Sequence, residues 1–166
     1  MEIKIDELKL ILLNKSFSEI EAALKDFDIN SFDGNGNNIL HYYVRNHESV
    51  KVSVENMIQL LLDFGTDINA TQLKIGKRTA LHLAVLQKSK EVFDVLLKKG
   101  ADVNSRDREG NVPLFNEVFV YDGVDGYFIE TLISNGTRVD MVNNHGVSPK
   151  SLAETIANYD TRKFFS

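Results

Sequence analysis

The chain has 166 residues, 43% of them hydrophobic and 26% charged, and 19 Lys and Arg stand against 24 Asp and Glu for a formal charge of −5. This composition excludes a disordered chain, and charge of both signs scattered along it excludes a nucleic-acid groove built from clustered cations. The absence of Cys excludes disulfides and thiolate metal sites, and no apolar run approaches the roughly 20 residues that span a bilayer.

The first seven residues, Met1 to Glu7, interleave charge with apolar side chains where a signal peptide would carry an uninterrupted apolar stretch, so a cytoplasmic protein is expected. Helices are predicted near 4–14 and 18–26, ending in Asp28-Ile29-Asn30 and forming an N-terminal cap over residues 1–30. The phrase Asp33-Gly34-Asn35-Gly36 then makes a tight turn, and Asn38 caps the next helix. About six extra residues fall within Asn46 to Glu55. The following helix carries Met57, Ile58, Leu61 and Leu62 on one face and stops at Gly65, a residue suited to the left-handed conformation that ends helices. This first unit covers 31–69.

The helix-ending phrase Leu61 to Asn69 returns as Leu96 to Asn104 and, more worn, as Leu132 to Asp140, at spacings of 35 and 36 residues. Self-similarity at that period marks a solenoid. A second unit therefore covers 70–104, with two extra residues in its opening turn between Thr71 and Arg78, Thr79 as cap, and Val92, Phe93, Leu96 and Leu97 as its apolar stripe. A third covers 105–140. It opens on Asp107-Arg108-Glu109-Gly110, places Pro113 in a first helical turn, carries about three extra residues around Tyr121 to Gly126, and buries Phe128, Ile129, Leu132 and Ile133. Ser148-Pro149 starts a C-terminal cap over 141–166, whose Lys150, Glu154, Asn158 and Asp160 suit a terminal unit with one face in water.

These phrases resemble the ankyrin repeat, whose pattern is D-x-x-G-x-T-P-L-H-x-A followed by a second helix and L-L-x-x-G-A-D-V-N. Thr79-Ala80-Leu81-His82-Leu83-Ala84 and Leu96 to Asn104 match it almost letter for letter. The resemblance implies an all-α solenoid, a single domain over 1–166, with about ten helices in five pairs including two capping units. It implies that His41 and His82 fill a structural slot, hydrogen-bonding backbone of a neighbouring loop. It also implies that partners meet the turn tips and the exposed side of each first helix. Carried onto this chain, those positions include Phe32, Asn35, Asn37 and Arg45 in the first unit and Lys77, Arg78, Leu86 and Gln87 in the second. In the third they include Arg106, Arg108, Glu109, Phe119 and Val120. Cations around apolar anchors suit an acidic protein surface. Glu117 departs from the family, standing where a small residue lets helices approach. The insertion in the second unit reads as neutral drift. That in the third reads as functional, because Phe119, Val120, Tyr121, Tyr127 and Phe128 flank it.

No motif for chemistry stands against this reading. Gly34-Asn35-Gly36 lacks the third Gly and the Lys of a phosphate loop, and Asp122 to Gly126 lacks the ligand count of a Ca²⁺ loop. His47 and His145 have no carboxylates at ligand-like spacing. The expectation is a non-enzymatic, monomeric protein-interaction module with no catalytic, metal or cofactor-binding residue, no cofactor, and no nucleic-acid or membrane partner. The alternative is an immunity or inhibitor protein that blocks a cognate toxin or enzyme. An enzyme or a delivered effector is more distant.

Overall fold

The computed structural model describes residues 3–74, 76–156 and 160–166. Nine α-helices lie among them, and none of the described residues forms a strand. They are α1 (Ile5–Asn14), α2 (Phe17–Leu24), α3 (Ile39–Asn46), α4 (Val54–Asp63), α5 (Ala80–Leu86), α6 (Lys90–Lys98), α7 (Pro113–Val120), α8 (Tyr127–Ser134) and α9 (Pro149–Thr155). Short 3-10 turns occupy His47–Ser49 and Arg162–Phe164. The odd-numbered helices form one layer, each packed on the next from α1 to α9, while α4 packs against α6 behind them. The architecture is thus the all-α repeat solenoid expected. Met1, Glu2 and Asn158 lie outside the described residues, and the turn at Arg162–Phe164 follows α9 where a tenth helix was expected.

Local chemistry sets each helix end. Asn38, Thr79 and Ser148 accept hydrogen bonds from the backbone of His41, His82 and Ser151, satisfying donors that the first turn leaves open. Glu19 reaches back to the Ser16 N–H at 3.0 Å, a capping job rather than mere solvation. At the other ends Gly65, Gly100 and Gly136 take φ of 94°, 85° and 85°. There the N–H groups of Thr66, Ala101 and Thr137 donate to the carbonyls of Leu61, Leu96 and Leu132.

The apolar stripes form one continuous core. Met57, Ile58, Leu61, Val92, Phe93, Leu96, Ile129 and Leu132 are fully buried. Leu62, Leu97 and Ile133, expected beside them, are only half-buried, because the next residue along a helix points about 100° round from its neighbour.

His41 and His82 tie unit to unit. Nδ1 of each accepts from the backbone N–H of its own helix cap, at 3.2 and 3.3 Å. The ring proton then sits on Nε2, which donates to the Ala70 carbonyl at 2.9 Å and the Asn111 carbonyl at 3.0 Å. Burial, reinforced by the nearby charge of Arg45, holds His41 down at about 4, and burial likewise lowers His82. An unfolded histidine takes a proton near the ordinary value of 6.5, whereas these do not, so their contribution is complete above that value and is lost as pH falls toward the depressed folded values. His82→Ala should therefore cost about 1–3 kcal/mol, since the Asn111 carbonyl loses its donor. The denaturation midpoint of the variant should also vary less across that acid window, as urea titrations at several pH values would reveal.

Candidate functional site

The turn tips are cross-linked. Asp33, Asp107 and Asn143 each hold their own turn by accepting from backbone N–H groups two and four residues on. Backbone bonds then join tip to tip, from Leu73 to Gly36, Arg108 to Gly76 and Asn144 to Glu109. Gly36 and Gly110 sit at these junctions with φ of 81° and 79°, and a Cβ at Gly36 would stand 2.7 Å from the Lys74 nitrogen.

Side chains reinforce the ladder, and they place several candidate residues differently from expectation. Asn37 is buried, and its Oδ1 accepts from Gln72 at 2.6 Å, so it braces two units instead of meeting solvent. Arg106 donates to the Val142 carbonyl at 3.0 Å, Arg108 donates to the Lys74 carbonyl, and Lys74 to that of Gly34 at 2.8 Å. Glu109 meets His145 at 3.1 Å. Asn35 is exposed and donates its N–H to Asp33, and Phe32 is half-buried at the first turn. Arg45 and Gln87 are exposed at the ends of α3 and α5, where Gln87 donates to the Arg45 carbonyl at 3.4 Å. They border a polar hollow of about 360 Å³, separate from the apolar anchors.

The anchors themselves converge. Leu86, Phe115, Phe119 and Val120, together with Arg78, Asn111 and Asn116, line an open groove of about 310 Å³ between α5 and α7. Phe119 is 64% exposed and Val120 39%. A larger depression of about 520 Å³ lies elsewhere, between the α1–α2 turn and the first inserted loop. It is bordered by the helix caps Ser16 and Ser53 with Lys15 and Lys51 and holds none of the expected anchors, so size does not identify the binding face.

Repeat register extends the strip in a way sequence reading missed. Aligning the caps Thr79 and Val112 makes Leu86 equivalent to Phe119. The Ser that starts each second helix, Ser16 and Ser89, puts Leu13 of α1 in the same row, with Leu10 beside it. Leu10 is 63% exposed. Leu73 and Val142, 57% and 50% exposed, stand at turn tips. Of the large apolar residues that meet solvent, only Phe17 and Val124 fall outside the inner helices and tips among the described residues.

Cations cluster near the same strip. Among the described residues Arg45, Lys74, Lys77, Arg78, Arg106 and Arg108 meet no carboxylate, and the three that form side-chain hydrogen bonds give them to neutral carbonyls. On the outer helices Lys90, Lys98 and Lys99 all meet Asp or Glu. Six cations at the tips and inner-helix ends therefore stay uncompensated, although Lys9 of α1 pairs with Asp6 and Asp33, and Lys25, Lys51 and Arg138 elsewhere also meet no carboxylate among the described residues.

Residues 122–125 of the third insertion are exposed, but the aromatic side chains Tyr121, Tyr127 and Phe128 that flank it are used internally. Tyr121 is buried against Phe164, with rings edge-on at 5.5 Å, and Phe164 leaves no room for a Cβ on Gly126. Tyr127 donates to Asp94 at 2.6 Å. Glu117 is fully buried, and Lys88 donates to both its oxygens at 2.6 and 2.7 Å. Lys88 holds this position from a left-handed backbone, φ 56°, and its ammonium also faces the Phe128 ring at 5.5 Å. Burial pushes the Glu117 carboxyl above the usual glutamate value, Asp122 and Asp125 add to the push, and Lys88 opposes it.

The family model for ankyrin repeats (3 copies) matches residues 8–107. An ankyrin repeat protein of Fowlpox virus (strain NVSL) is 27% identical over 161 residues, covering 93% of this chain and 45% of its own length. The NF-kappa-B p105 subunit of Gallus gallus is 32% identical over 120 residues, 70% of this chain and 12% of that protein. An ankyrin repeat protein of Acanthamoeba polyphaga mimivirus is 22% identical over 163 residues, 94% of this chain and 20% of its own. The chain spans less than half the length of each of these relatives.

Proposed function

Since the chain belongs to the ankyrin-repeat family, whose arrays generally serve as protein-interaction modules, we propose that it binds a protein partner through its turn tips and inner-helix face, without catalysis. The observation that carries this reading is the concentration of exposed large apolar side chains on that one face, beside Lys77 and Arg78, which meet no carboxylate among the described residues. A face that is apolar at its centre and positive at its rim suits a partner with an acidic surface, the rim steering encounter and the anchors holding the complex. Residues 1–166 are read as one array acting as a monomer in the cytoplasm. No helix among the described residues is long and apolar enough to cross a membrane.

Phe119→Ala should cost more than about 2 kcal/mol of binding, expressed mainly as faster dissociation, because an aromatic anchor loses its desolvated contact. Lys77 makes no side-chain bond among the described residues, so Lys77→Glu changes charge without touching the tip ladder, which reversal of Arg106 or Arg108 would loosen. It should slow association and flatten its salt dependence. Rate measurements at two salt concentrations on a captured partner test both. Unchanged rates in both variants would refute the inner-face reading.

A further inference from the structure

The groove between α5 and α7 contains more than an apolar anchor site requires. Asn116 occupies the place in α7 that Leu83 holds in α5 and Leu152 in α9, so an amide stands where those two helices carry a hydrocarbon. It is only 8% exposed, and its Nδ2 has no hydrogen-bond partner among the described residues. Arg78 also lines the groove, and its Nε likewise has none. A buried donor left unmade is costly, and such groups are rare enough in folded chains to need a reason. Asn111, the third polar residue of the lining, differs. Its Oδ1 accepts from Asn143 at 2.8 Å and its carbonyl from His82. The groove therefore offers donors and one full positive charge, and no carboxylate lines it. The sequence around it agrees, for residues 68–90 contain five cations and no Asp or Glu. Two of those, Lys88 and Lys90, are ion-paired elsewhere, which leaves Lys74, Lys77 and Arg78 to set the local potential.

We propose that this groove is a specificity pocket for an acidic side chain carried beside a large apolar residue in a linear segment of a partner protein. The proposal rests on the reading that the inner-helix face binds protein. The apolar residue packs on Phe119, Val120 and Leu86. The carboxylate beside it meets the Arg78 guanidinium and the Asn116 amide, both of which line the groove and each of which keeps a buried nitrogen without a partner among the described residues. A charge-assisted pair formed in so apolar a setting is stronger than its equivalent in water.

The test begins with selection of binders from a displayed library of random peptides against the full chain. The enriched peptide is then synthesised, and its footprint is mapped by amide chemical shifts. The expected result is a motif pairing Asp or Glu with a Leu, Phe or Trp, and a footprint on α5 and α7. Changing the peptide's acid to its amide should weaken binding about tenfold or more, as loss of a charge-assisted bond does. The same change should have little further effect on Arg78→Gln, while Arg78→Lys should keep part of the discrimination. The peptide change leaves the protein untouched, so the result does not depend on how well the Arg78 variants fold. A footprint on the groove with no acidic preference, or an amide that binds as well as the acid, overturns the specificity proposal and leaves the inner-face reading standing. Release of the peptide by inorganic phosphate, but not by chloride at equal ionic strength, marks a phosphate site and likewise overturns it. A footprint on the outer helices, or no enrichment at all, overturns the inner-face reading and the proposal with it.

Discussion

Lys88→Ala is expected to destabilise the fold by about 3–5 kcal/mol at neutral pH, the cost of breaking a buried ion pair by removing one partner. Glu117 is 0% exposed and both its oxygens take their hydrogen bonds from Lys88. The Lys88 side chain is 40% exposed, so water entering the gap should hold the loss toward the lower end of that range. Alanine keeps the left-handed backbone, which isolates the loss of the ammonium from relief of strain. The pH dependence carries a distinct signature. Burial already raises the folded-state value for Glu117 above 4.5, and losing Lys88 raises it further. The folded carboxyl then binds a proton at a higher pH than the unfolded one, so stability falls as pH rises through the folded value and is regained as pH falls toward 4.5. The variant should thus be less destabilised at about pH 5 than at about pH 8. Adding Glu117→Gln should recover more than half of the loss, because no buried charge then remains. Urea titrations of the three proteins at two pH values decide it. A loss under about 1 kcal/mol, without pH dependence, would show that the pair behaves as a surface contact.

Leu96→Ala should cost about 2–5 kcal/mol, through lost transfer energy and the cavity left behind. Leu96 is fully buried in α6, which lies between α5 and α4, so the void opens at the junction of two neighbouring units. Such arrays draw stability from nearest-neighbour interfaces, and damage there weakens both units at once. The companion Leu97→Ala should cost clearly less, since Leu97 is only half-buried. Equal losses at the two positions would mean that the helix register is wrong by one residue. Thermal or denaturant unfolding of both variants gives the comparison.

Much of the fold was legible because its signals are local. A cap acts on the residue three positions on, a helix-ending Gly on the preceding turn, and an apolar stripe within two turns. Asn38, Thr79, Ser148, Gly65, Gly100 and Gly136 therefore announced their roles in the chain itself. The slot shared by His41 and His82 was legible by its recurrence, although their acceptors, Ala70 and Asn111, are each 29 residues away. Part of the proposed face was legible as geometry, for Phe119, Val120, Leu86 and Arg78 line one groove.

By itself, then, the sequence determined the repeat, its helix ends and the residues that fill its core, because each depends on neighbours within a few positions or on a recurring phrase. Only the tertiary structure decided how side chains are used between units. Asn37 was read as a tip and became a brace once Gln72, 35 residues on, was placed against it. Glu117 looked out of place until Lys88, 29 residues before it, was found turned back on it from a left-handed backbone. Arg106 and Arg108 proved to be tip fasteners as well as charges, and Phe164 packed on Tyr121, one of the aromatics flanking the insertion that had looked free. The physical reason is common to all four. A hydrogen bond or ring contact requires atoms within a few ångströms, and the rotation and rise from one unit to the next set which side chains meet that condition.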